Sequence, residues 1–213
     1  MIRVFKLTFN PFQENTYVLA DETNEAVIID PGCFGVDEQK RLMQLIDSEG
    51  LKPVKLVNTH CHIDHVLGNN FVHKKYDLPL GIHRLDLPTL GMLTQTANMY
   101  GFKGFELSPD PAYFIEEGDK VTFGNSTLEV IFGPGHAPGH IAFYSPEDKF
   151  VINGDILFKG SYGRYDLPGG DFQVLKETIM NKMFNLPDDT VVYCGHGPET
   201  TIGEEKVSNM ILV

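Results

Sequence analysis

Cysteine, positive charge and long apolar runs are all scarce in this 213-residue chain, and each scarcity removes a class of function. The three cysteines, Cys33, Cys61 and Cys194, are odd in number and too few for a disulfide scaffold, so a reducing, cytoplasmic setting is expected. Lysine and arginine total 17 against 29 acidic residues, a formal net charge of -12. Such a surface repels phosphate unless a local basic stripe overrides it. The cations are scattered, as in Lys52/Lys55 and Lys74/Lys75, so a nucleic-acid partner is not expected. No apolar stretch approaches membrane-spanning length. The opening MIRVFKLTFN alternates like a strand instead of forming the apolar core of a secretory leader, so a membrane partner is not expected either.

What is present suits a folded domain. With 42% hydrophobic residues the chain has ample material for a core. Patterning predicts strands over Ile2–Phe9, Asn15–Ala20 and Ala26–Asp30, then a helix capped by Asp37 with Leu42, Leu45 and Ile46 facing inward and Gly50 ending it. A short strand, Val54–Asn58, leads into a helix over His65–Tyr76; Leu78–His83 is extended, and a further helix runs to about Met99. Helical core packing is the expected role of Met92, Met99 and Tyr100. The second half repeats the order: strands at Asp119–Phe123, Ser126–Phe132, His140–Tyr144 and Phe150–Asn153, a polar loop over Lys159–Gly170, a helix over Asp171–Phe184, a strand over Thr190–Cys194 and a closing helix from Gly203. An α/β fold with two mixed sheets face to face and helices outside accommodates this order, as one domain over residues 1–213.

The chemistry is concentrated at strand ends. The stretch VKLVNTHCHIDHVLGN packs His60, His62, Asp64 and His65 directly behind a run of β-formers. In extended backbone His60 and His62 share a face, and Asp64 can cap the helix beginning at His65. Three later strands are followed by His136, Asp155 and His196, in IFGPGHAPGH, VINGDILF and VVYCGHGPET. Five histidines and two aspartates among glycines suit zinc, and also iron or manganese, with a position left open for water. Cys61 points away from its flanking histidines by alternation and reads as core; Asp30 is placed to orient the metal loop by hydrogen bonding.

His60-Cys61-His62-Ile63-Asp64-His65 resembles the HxHxDH motif of the metallo-β-lactamase superfamily, and His136, Asp155 and His196 arrive in that family's order. The resemblance runs from IIDPG to GHGPET. It implies an αββα sandwich holding two divalent metal ions, zinc first among them. His60, His62 and His136 would hold one ion, Asp64, His65 and His196 the other, with Asp155 bridging. His140 would support the site without ligating. NPFQENTYVL, GPGHAPGH and GDILFKGSYGRYDLPGGD are similar to the glyoxalase II group in its short form, without the added C-terminal helical region that binds glutathione.

That resemblance implies hydrolysis of a thioester, such as an S-acyl-glutathione, to acid and thiol by a metal-bound hydroxide, with Asp64 orienting the water where one ion is missing. The thiolate leaves without a strong general acid. Gly160–Gly170 is the expected recognition segment, with Tyr162 and Arg164 as pocket-wall residues, although pairing of Arg164 with Asp166 or Asp171 to brace the loop is the favoured role for its guanidinium. The alternative is a persulfide dioxygenase using one iron on His60, His136 and Asp155.

Overall fold

The computed structural model describes residues 1–213. They form two compact units, one of Met1–Ile115 with Thr122–Ser126 and one of Glu116–Val121 with Thr127–Val213. Each is built around a mixed sheet with helices against it.

In the first unit, β1 (Arg3–Phe9), β2 (Glu14–Ala20) and β3 (Glu25–Ile29) form an antiparallel meander. The chain then crosses over through α1 (Gly35–Ser48) to β4 (Lys52–Val57), which lies parallel to β3. Next come α2 (Ile63–Val66) and α3 (Asn69–Tyr76), the parallel strand β5 (Leu80–Ile82), α4 (Leu87–Gly91), α5 (Leu93–Tyr100) and β6 (Tyr113–Phe114). The sheet order β1-β2-β3-β4-β5-β6 follows the sequence. Val18, Ile28, Leu42, Ile46, Leu56 and Leu80 are core, which accounts for the apolar face of α1 and the β-branched runs of the strands.

The second sheet has the order β14-β13-β10-β9-β8-β7, from β7 (Lys120–Phe123), β8 (Ser126–Phe132), β9 (Ile141–Ser145), β10 (Phe150–Gly154), β13 (Val191–Cys194) and β14 (Thr200–Thr201). Strands β8, β9 and β10 are antiparallel neighbours, and β13 pairs parallel with β10 after the crossover through α6 (Phe172–Asn181). A separate hairpin, β11 (Leu157–Phe158) with β12 (Ser161–Tyr162), lies between β10 and α6 in sequence, and α7 (Ile202–Ser208) closes the chain. Leu175, Ile179, Val151, Val192 and Ile202 make this unit's core.

Four local expectations change. Asp37 lies inside the first turn of α1 and Phe34 takes the cap position. The Glu38 carboxylate reaches back to accept the Phe34 N–H at 2.7 Å, and no side chain caps the first-turn N–H groups. The helix expected over His65–Tyr76 is broken at Gly68, where the N–H bonds the Pro31 carbonyl at 2.7 Å and a Cβ would sit 2.5 Å from the Cys33 Sγ. The polar loop Lys159–Gly170 contains the return strand of the small hairpin, turned at Gly160 with φ +70°. Met99 and Tyr100 are 71% and 44% exposed, and Met92 37%, so these three are not core; Leu93 and Ala97 fill that role on α5. No helix is long and apolar enough to cross a membrane.

Candidate metal centre

The first unit gathers four of the seven expected ligands on the turn that follows β4. His60 and His65 are buried, and His62 and Asp64 are half-buried. The His60 ring centroid lies 4.8 Å from that of His62 and 4.1 Å from that of His65. Extended backbone at His62 (φ -64°, ψ 152°) puts this residue at the cap of α2, so Asp64 sits in the first helical turn and makes no side-chain cap. That corrects the capping role and leaves the Asp64 carboxylate disposed beside His65, whose Nε2 lies 3.7 Å from Oδ2.

Asp30 determines which imidazole nitrogens are available. Its Oδ2 accepts the Thr59 hydroxyl at 2.6 Å and faces His65 Nδ1 at 3.1 Å, while Oδ1 accepts the Thr59 N–H at 2.6 Å and Asn58 Nδ2 at 3.3 Å. Because the Thr59 hydroxyl gives its hydrogen to Asp30, its oxygen accepts from His60 Nδ1, 3.1 Å away. Both imidazoles therefore carry the proton on Nδ1 and present the Nε2 lone pair, the form a metal takes. The donor atoms of Asp30, His60 and His65 lie within 4.8 Å of one another. With four donors already on its carboxylate, Asp30 orients the others, as the sequence suggested.

Three further contacts fix the loop. Asn10 Nδ2 donates to the Asp64 carbonyl (2.9 Å), Asn58 Nδ2 to the His65 carbonyl (3.0 Å), and the buried Asp86 accepts the Cys61 N–H (2.6 Å). Glu14 is fully buried beside them, and burial pushes its carboxyl well above the usual carboxylate range, with the nearby His65 pulling it back down. Cys61 is core, and burial raises its thiol pKa. Sequence reasoning assigned no role to Asn10, Glu14, Thr59 or Asp86; the phrase NPFQENTY carries the first two without showing that they turn toward a loop some fifty residues on.

His136, Asp155 and His196 lie in the second unit. The Asp155 Oδ2 lies 3.5 Å from His136 Nε2 and 3.4 Å from His196 Nε2, so one carboxylate oxygen faces both imidazoles. His136 Nδ1 donates to the Arg164 carbonyl at 2.6 Å, which again frees Nε2. His140 Nε2 accepts the Asp155 backbone N–H at 3.0 Å, a supporting contact from a residue expected to support and not to ligate. The Arg164 guanidinium pairs with Asp166 through Nε and Nη2 at 2.7 and 2.8 Å in an exposed fork, the bracing arrangement. This hydrogen bond lowers the Asp166 carboxyl below its ordinary value. Tyr162 is half-buried, with its ring 5.8 Å from Phe172.

These donors fit divalent metal ions. Neutral imidazoles with their second nitrogens committed, and carboxylates among them, are the ligand chemistry of zinc, iron and manganese. His60, His65 and His136 each have an oxygen partner at Nδ1, so in the neutral ring Nε2 is the nitrogen that offers a lone pair to an ion.

Known proteins resemble this chain over most of its length. The Bacillus subtilis "Probable metallo-hydrolase YqgX" is 35% identical over 211 residues, covering 97% of this chain and 96% of that protein. The Haemophilus influenzae "Hydroxyacylglutathione hydrolase GloC" is 35% identical over 202 residues (94% and 93%), and the human "Persulfide dioxygenase ETHE1, mitochondrial" 33% over 199 (91% and 69%). Among solved structures, TTHA1623 in a di-iron-bound form superposes with a TM-score of 0.87 at 40% identity, covering 97% of this chain and 99% of that one. The pattern of the metallo-beta-lactamase superfamily itself matches residues 9–196, a span that takes in every one of the seven donors. With two mixed sheets, flanking helices and that match, the chain belongs to the metallo-beta-lactamase superfamily.

Proposed function

We propose that the protein is a two-metal thioester hydrolase acting on an S-acyl-glutathione or a related small thioester. His60, His62 and His136 would hold one ion and Asp64, His65 and His196 the other, with Asp155 shared between them; imidazole and carboxylate donors suit such ions. The observation that carries the two-ion reading is the single Asp155 oxygen facing both His136 and His196. The likeness to the H. influenzae hydroxyacylglutathione hydrolase, over nearly the whole of both chains, supports a thioester as the substrate. Zinc is the proposed metal, and the three buried cysteine thiols suit a reducing cytoplasm.

The bound ions would supply a nucleophilic water at neutral pH and polarise the thioester carbonyl. The chain's own part is positional. Asp30, Thr59 and the Arg164 carbonyl hold His60, His65 and His136 in one tautomer, and the N–H of Asp155 is held by His140. Asp64 orients the attacking water where only one ion is bound. Gly160–Gly170, with Tyr162 and the backbone of Arg164, borders the substrate. The departing thiolate needs no strong acid, in keeping with a site made of metal ligands and their partners.

Thiol release from S-D-lactoylglutathione tests this reading. Turnover should vanish with a chelator and return with zinc; a metal-loaded protein that releases no thiol would remove glutathione thioesters as substrates. The likeness to human ETHE1 favours a second reading, in which His60, His136 and Asp155 hold one iron for persulfide oxidation. Iron content with persulfide-dependent oxygen uptake separates the two.

A further inference from the structure

One buried carboxylate outside the ligand sets has a task of its own. Glu205, on α7, is 1% exposed, and burial of a carboxylate is costly unless donors are held in place around it. Its Oε2 accepts the Gly160 N–H at 2.9 Å and Asn209 Nδ2 at 2.6 Å, and its Oε1 accepts the Thr200 hydroxyl at 2.6 Å. The buried Asn209 continues the bracket: its Nδ2 also reaches the Ser161 carbonyl at 2.8 Å and the Phe158 carbonyl at 3.3 Å. The Met210 N–H bonds the Gly160 carbonyl at 3.4 Å. Apart from the Thr200 hydroxyl and the Glu205–Asn209 bond itself, these contacts all fall on Phe158–Ser161, around the turn of the β11–β12 hairpin.

That hairpin has two residues per strand, too few to hold its own register. Its arms begin and end at the metal centre. Asp155 precedes the first arm, and the second arm runs through Gly163 to Arg164, whose carbonyl accepts His136 Nδ1. The arms have no slack against the ligands: the Gly163 N–H bonds the Ile156 carbonyl at 3.2 Å, and a Cβ on Gly163 would lie 1.8 Å from the Asp155 carbonyl oxygen and 3.1 Å from His136 Nδ1. A hairpin pinned at its tip and packed at its base transmits the position of the tip to the base.

We propose that Glu205 is a positioning residue for His136, acting through the Phe158–Ser161 turn and the Arg164 carbonyl to hold His136 in the tautomer that presents Nε2. The inference rests on the reading of His136 as a metal ligand. It assigns the closing helix a part in the site, and Asn209 acts as the second arm of the same bracket.

Protein labelled with 15N-histidine tests it, with ring nitrogens read by long-range proton–nitrogen spectra before and after zinc is added. In the wild type, His136 shows a protected Nδ1–H. In E205Q and in N209S that proton exchanges faster and the Nδ1–H form loses population, while His60 and His65 keep their signals; zinc retention falls about tenfold, as for the loss of an outer partner of a ligand. T200V is the control, since it removes a bond to Glu205 without touching the hairpin. It lowers the melting temperature and leaves His136 unchanged. His136 signals like the wild type's in both E205Q and N209S, or an equal response in T200V, overturn the proposal; where E205Q does not fold, N209S against T200V decides. Zinc that fails to move His136 Nε2 in the wild type sinks the ligand reading instead, and the Nδ1–H comparison still judges the bracket.

Discussion

Replacing Asp30 by asparagine tests whether tautomer control holds this site together. Asparagine keeps the shape and tolerates the left-handed backbone there (φ +50°), so the substitution adds no conformational strain. It removes one acceptor. An amide oxygen in the Oδ1 place can still take the Thr59 N–H and Asn58 Nδ2, but an NH2 group then confronts the Thr59 hydroxyl and His65 Nδ1. Two donors cannot face each other, so His65 must move its proton to Nε2, the nitrogen proposed to bind metal. The Thr59 hydroxyl turns to accept from the new amide and gives its hydrogen to His60 Nδ1, which drives the same change in His60. Loss of an outer partner costs about 10–100-fold in metal affinity, or roughly 1.4–2.8 kcal/mol.

Two imidazoles are affected at once, so D30N belongs at the upper end of that range. T59V removes the acceptor for His60 and one donor to Asp30 but leaves the Asp30 acceptor on His65, so it belongs at the lower end. Competition between the protein and a chromophoric chelator for zinc measures both. The folded state loses buried hydrogen bonds worth about 1–3 kcal/mol, so the thermal transition falls while remaining cooperative. D30N that binds zinc as tightly as the wild type, with Nδ1–H still present on His60 and His65, would refute the tautomer argument.

Gly163→Ala should cost stability and metal together, because the atom a Cβ would strike is the Asp155 backbone oxygen and cannot yield; overpacking of this kind costs about 1–3 kcal/mol, and thermal melting with zinc stoichiometry checks it. An alanine with normal zinc content would show that the hairpin base has room. R164A should leave the KM for the thioester unchanged, since the guanidinium is turned out to Asp166 and only the carbonyl meets His136; a raised KM would place the guanidinium on substrate. Glu14 has a folded pKa above its unfolded value of 4.5 because it is buried, so the stability it contributes is fully present below that value and is lost as pH rises toward the folded one. Metal-free E14Q should therefore lose less stability than the wild type as pH rises above 4.5, measured by urea unfolding across a buffer series; equal slopes would show that Glu14 is ionised in the fold.

The seven candidate ligands could be proposed from sequence because metal chemistry demands a few residue types at the ends of strands, and strand ends can be read from alternation. Asp30 was legible as an orienting group for the same reason: it ends β3 as the ligand loop follows β4, and β3 and β4 pair in parallel. What the sequence withheld is set by contacts between distant segments. The break at Gly68 depends on Cys33 and Pro31, and the turn at Gly160 on Glu205 and Asn209. Neither has a local signature, because a buried carboxylate among helical residues looks like any solvated glutamate until its donors are known.

That division has a physical basis. Ligands are fixed by valence, which permits few residue types, whereas the groups that hold a ligand need only supply an acceptor at one point in space, which a carboxylate, a hydroxyl or a backbone carbonyl can do equally well. His60, His65 and His136 show all three solutions, through Thr59, Asp30 and the carbonyl of Arg164. A backbone carbonyl leaves no trace in composition at all. The support of His136 is therefore the least legible of the three, and it is the one whose accuracy depends on a hairpin that a separate helix must hold.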